Sequence, residues 1–151
     1  MTKLASVFVD YFKSPVLATQ KDFEEWHEKT CNDFCNDFNA VLRTSNYAKR
    51  IKYGKAQKIV NIAFKYLYLF CDIEDGEPSH FKFCHFAIDS ITLKWYNKNV
   101  DQNCTVGNWS DMDYPEYIEI QKNIRTYLAC QNKYPKEPFL AEFEIWSQYA
   151  F

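Results

Sequence analysis

At 151 residues the chain has the length of a single domain, able to bury roughly two-thirds of the surface its unfolded form would expose. Hydrophobic residues at 47% and charged residues at 25% exclude a disordered chain, while a formal charge of −2 gives no sign of charge segregation along the sequence. The 19% aromatic content invites a base-stacking reading, but eleven Asn beside abundant Lys, Ile, Tyr and Phe match the product of an AT-rich coding sequence, and composition bias is preferred.

A first helix is expected over about Leu4–Lys13, ending at Ser14-Pro15 because the residue before proline avoids α geometry. A second starts near Thr19, with Asp22, Glu24 and Glu25 in its first turns, and carries an apolar stripe through Phe23, Trp26, Cys31, Phe34, Phe38 and Leu42. Ser45 is read as the cap of a long helix running to Asp72, before the turn Glu74-Asp75-Gly76-Glu77-Pro78. The stretch His80–Asn97 includes HFKFCHFA, whose alternation suits a short strand near 80–88, and then a helix from Ser90 capped by Asp89. A polar loop over Asn97–Met112 leads to a helix capped by Asp113, with Pro115 and Glu116 in its first turn. A last helix begins at Pro138. With only three glycines, the reading is an all-α fold, a compact five- to six-helix bundle around the long central helix.

The chain opens MTKLASVFVDYFK, which lacks the pattern of a secretory signal, so the six cysteines are expected reduced in a cytoplasmic setting. No apolar run approaches the twenty residues of a membrane span.

Charge segregates after all. From Phe38 through Cys71 there is no Asp or Glu, whereas Arg43, Lys49, Arg50, Lys52, Lys55, Lys58 and Lys65 fall in the same window. From Ile59 onward the helix is apolar nearly all round, the signature of a buried rod, yet Asn61 and Lys65 lie within it and Lys58 extends their line back toward Gly54 and Arg50. A buried ammonium and amide need partners. Either a protein carboxylate such as Asp89 or Glu142 neutralises Lys65, or a bound anion does. The anion reading makes Arg50, Gln57, Lys58, Asn61 and Lys65 contacts for a nucleotide-like or otherwise phosphorylated ligand, with Trp109 as an aromatic lid. The alternative for Trp109 is a staple packed on the core. Gly54 permits close approach of a ligand or of another backbone.

His85 and Asp89, four apart, are candidate catalytic residues for a metal-independent phosphodiesterase or nuclease. The spacing and cysteine pattern do not build a metal site, and no cofactor is implied. None of the three histidines has an Arg within six residues upstream, as some helical RNases do, and no Walker, GxSxG, HExxH or GxGxxG motif occurs. His27, beside Trp26, reads as peripheral. The exposed lysines Lys49, Lys52 and Lys55 offer a third possibility, a nucleic-acid or protein interaction face. The leading expectation is a small ligand-binding protein, suited to regulation or to phage–host conflict.

Overall fold

A computed structural model of the protein describes residues 3–15, 17–45, 49–70 and 78–150. Among them are six α-helices and no strand: α1 (Lys3–Lys13), α2 (Gln20–Thr44), α3 (Tyr53–Phe70), α4 (Ser90–Asn99), α5 (Tyr114–Cys130) and α6 (Pro138–Tyr149). Two short 3-10 turns cover Pro78–Phe81 and Trp109–Asp111.

Local chemistry sets several helix starts. Thr19 caps α2 through a reciprocal pair: its hydroxyl accepts from the Asp22 N–H (3.1 Å), and the Asp22 carboxylate accepts from the Thr19 N–H (2.9 Å). Asp89 caps α4, accepting from the N–H groups of Ile91 (2.9 Å) and Thr92 (3.0 Å). Asp113 and Glu116 form the same reciprocal pair at α5, behind which Pro115 supplies a preset φ.

The central helix is shorter than its sequence suggests. Ser45 does not cap it; Ser45 ends α2, its N–H donating to Leu42 O (3.1 Å). The chain at Lys49–Lys52 is not helical, and α3 starts at Tyr53. Asn39 on α2 stabilises this lead-in by donating to Ile51 O (2.9 Å) and accepting from Ile51 N–H (2.8 Å). The expected end at Asp72 and the Glu74–Pro78 turn begin outside the described residues.

Gly54, in the first turn of α3, packs against the backbone of the 3-10 turn before α5. Its N–H donates to Met112 O (2.9 Å), and a Cβ there would lie 1.9 Å from Trp109 O. The close approach that Gly54 permits is therefore to a backbone.

The core forms where the inner face of α3 meets α2, α5 and α6 and where α4 packs on α6, with Phe23, Val60, Phe64, Trp95, Tyr117, Ile124 and Ile145 buried. Between the first 3-10 turn and α4, residues 84–89 run through the interior without regular secondary structure. Their backbone groups bond to two glutamine side chains instead. Gln121 donates to Phe86 O (2.7 Å) and accepts from Phe86 N–H (3.0 Å). Gln57 does the same for Ile88, at 2.6 and 3.2 Å. In HFKFCHFA the first half is a 3-10 helix and turn and only the second half is non-helical; its partners are side-chain amides, so no β element forms among the described residues.

The buried-rod reading of α3 also needs correcting. Ile59, Tyr66, Leu67, Leu69 and Phe70 are exposed, so this helix has two apolar faces, of which one is covered by the described residues.

Candidate functional site

The polar residues expected to line one pocket separate into two groups on adjoining faces of α3. Gln57 and Asn61 face inward. Asn61 is buried and donates through Nδ2 to Gln57 Oε1 (3.0 Å) and to the Tyr117 hydroxyl (2.9 Å). Its Oδ1 must then accept, so His27 Nε2–H donates to it (3.0 Å) and His27 Nδ1 accepts from the Tyr53 hydroxyl (3.0 Å). The Tyr117 hydroxyl also hydrogen-bonds His85 Nδ1 (2.8 Å). His27 is therefore a core residue, not a peripheral one: its ring is fully buried and stacks on Tyr117.

Burial holds both imidazoles neutral. Desolvation pushes His27 down to about 4 against the raising effect of its bond to Asn61. Desolvation, then the nearby His27 and Arg125, hold His85 well below the usual histidine range.

His85 and Asp89 turn to different partners. They lie on non-helical chain, not on one helical face, and share no hydrogen bond among the described residues. His85 faces Tyr117 and sits beside the Gln20 amide (3.4 Å). Asp89 caps α4 and pairs with Lys58. A buried neutral imidazole without its orienting carboxylate is a poor general base for an external substrate.

The second group, Lys58 and Lys65, faces a cleft of about 280 Å³ between α3 and α6, floored by Ala87 and Asp89. Lys58 Nζ lies 3.2 Å from Asp89 Oδ2 and 4.9 Å from the centre of the Trp109 ring. Lys65 pairs with Glu142 of α6 and lies 4.4 Å from the centre of the Phe143 ring. The Trp146 indole N–H donates to Asp89 Oδ2 (3.3 Å). Ile62, Tyr66 and Leu69 complete the apolar wall.

The two carboxylates differ in environment. Burial raises Asp89, but the Thr92 N–H, Lys58 and the Ile91 N–H outweigh it and hold the group below the usual carboxylate range. At Glu142 burial dominates: Lys65 and Lys58 oppose it, Asp89 reinforces it, and the net direction is up.

The counter-charge of Lys65 is therefore a protein carboxylate. Arg125, another possible partner for Glu142, pairs with Glu24. Arg50 is exposed on the lead-in to α3 and does not line the cleft. Trp109 is half-buried, packed on the core, and reaches the site only through Lys58. Trp146 reads in sequence as core because its helix is apolar; the structure puts it at the cleft edge. Among the described residues no cluster of three metal-binding side chains occurs, and no helix is long and apolar enough to cross a membrane. The chain matches no known protein family, no curated protein and no solved structure.

Proposed function

We propose that the protein binds a small anionic ligand of nucleotide-like or phosphorylated character in the α3–α6 cleft. The observation that carries this reading is the convergence of Lys58, Lys65, Asp89 and Glu142 on one small, otherwise apolar cleft. Four partly or wholly desolvated charges are an inefficient way to hold two helices together, since apolar side chains of similar volume often stabilise as well or better. Asp89 and Glu142 are shifted in opposite directions by their surroundings, and such groups in a cleft are candidate functional residues.

An incoming anion competes with Asp89 and Glu142 for the two ammonium groups. Lys58 is the accessible first contact, and Lys65 is the deeper one. The half-exposed Trp146 and Tyr66 rings offer flat apolar surface to the rest of the ligand. In this reading the contacts are Lys58 and Lys65; Arg50, Gln57, Asn61 and His85 take no part. The setting is cytoplasmic, with a regulatory or phage–host conflict role.

Thermal unfolding against a panel of nucleoside mono-, di- and triphosphates tests the proposal. A ligand present at about 100 times its Kd adds about 2.7 kcal/mol of stability. If the panel leaves the transition where it was, the reading fails.

A further inference from the structure

The outer face of α3 carries a second feature, which meets the cleft at Tyr66. Ile59, Ala63, Tyr66 and Phe70 follow one another in steps of four, three and four residues, the spacing of an apolar seam between two packed helices. That seam has no partner among the described residues: Ile59 is 42% exposed, Tyr66 59% and Phe70 84%. Beside it, α1 and α3 enclose an open apolar groove of about 770 Å³ whose lining includes Phe8, Val9, Phe12, Ala63 and Leu67.

The geometry points to a second copy of this chain as the occupant, with α3 packed against α3 of the partner across a two-fold axis. Size is the first argument. Five exposed large apolar side chains, Val9, Ile59, Tyr66, Leu67 and Phe70, lie on the seam and the groove beside it, and contiguous exposed apolar patches above a few hundred Å² mark interaction sites. Charge is the second. Between Ile59 and Phe70 the helix has a single charged residue, Lys65, and Glu142 already neutralises it. Along the α3 seam two such faces meet without like-charge repulsion, and Lys13 is the charged residue in the lining of the groove beside it.

Shape is the third argument. In an antiparallel pair, small Ala63 lies near the centre and lets the helices approach, while the bulky Phe70 at one end lies opposite Ile59 of the other copy. The same patch then serves both copies, as a closed two-fold interface requires.

Sedimentation equilibrium across micromolar concentrations tests this inference. The expected mass is twice the 18.0 kDa of the chain. Phe70→Asp and Ile59→Asp, at opposite ends of the seam, are each expected to return it to the single-chain value with the helical circular dichroism unchanged. Val41→Asp, at an equally exposed apolar residue off the seam, is expected to leave the dimer intact. A single-chain mass at every concentration, or a dimer indifferent to both seam variants, overturns the inference.

Discussion

Gln57 takes up both backbone hydrogen-bonding groups of Ile88, donating to its carbonyl at 2.6 Å and accepting from its N–H at 3.2 Å. One side-chain amide stands in for a neighbouring strand. Gln121 does so for Phe86, and Asn39 does so for Ile51 at the surface. The buried segment that places Asp89 at the cleft is held by these amides.

Gln57→Leu keeps the side-chain bulk and removes the amide. It leaves the Ile88 N–H and carbonyl without partners in the core, along with one hydrogen of Asn61. A buried polar group left unsatisfied costs about 1–3 kcal/mol, so a loss of about 2–4 kcal/mol in urea unfolding is expected. Asn39→Leu, at a half-buried site, is expected to cost about 1 kcal/mol. Equal effects at the two positions would contradict this account of the segment.

Gly54→Ala is expected to destabilise, although alanine favours a helix by about 1 kcal/mol over glycine. The new methyl meets the Trp109 carbonyl, which belongs to backbone and cannot rotate away. A net loss of about 1–3 kcal/mol, seen as a lower Tm, is the expected result. A variant as stable as the parent would mean that the Trp109–Asp111 turn moves freely off α3.

Stability should decline on acidification below about pH 6.5. His27 has a folded pKa of about 4 against the usual 6.5, so below about pH 6.5 the unfolded chain binds a proton that the folded chain refuses. The neutral ring's contribution is complete above pH 6.5 and is lost progressively as pH falls toward 4. It amounts to about 3 kcal/mol for His27, and His85 shifts stability in the same direction. Urea unfolding between pH 7.5 and 4.5 checks this, and His27→Gln should flatten the profile. A wild-type profile level across that range would contradict the neutral pair.

Glu142 and Lys65 give a coupled prediction. Glu142→Ala or Lys65→Ala alone leaves a largely buried charge uncompensated, at a cost of about 3–5 kcal/mol, whereas Glu142→Leu with Lys65→Met is expected near or above the parent. Anion binding at Lys65 would also strip Glu142 of its main counter-charge. Sulfate, which does not titrate near neutrality, is therefore expected to bind with uptake of up to one proton and more tightly as pH falls from 7.5 to 6. Calorimetry in buffers of different ionisation enthalpy reads the uptake, and Glu142→Gln should abolish it. Sulfate binding without proton uptake would mean that the anion leaves the Lys65–Glu142 pair intact.

Much of the fold is legible in the sequence because helix starts are written locally. Thr19, Asp89, Asp113 and Pro138 each lie within three residues of the groups they cap or preset. The start of α3 is not legible in this way. Ser45 has the chemistry of a helix cap, but it is used at the end of α2, and the lead-in is set by Asn39 twelve residues away from Ile51.

The site divides along the same line. The acid-free run identifies Lys58 and Lys65 as cations needing an answer, but the answers come from Asp89 and from Glu142, 77 residues beyond Lys65. Local spacing does not carry that pairing. Nor does it place Asn61 and Lys65 on different faces of function: four residues apart, one enters the His27–Tyr117 network and the other reaches the cleft. Apolar character all round α3 suggests burial, but it reflects a second face available to a partner.

The most direct test of the ligand-binding account is titration calorimetry of the nucleoside phosphate that most stabilises the protein, compared between the parent and Lys58→Met. Lys58 is partly exposed and paired at the cleft mouth, so this variant should keep its fold while losing the first anion contact. The account predicts saturable one-site binding to the parent, weakened at least about tenfold in Lys58→Met, the equivalent of about 1.4 kcal/mol. Binding of equal affinity to both proteins, or no heat of binding to either, would contradict it.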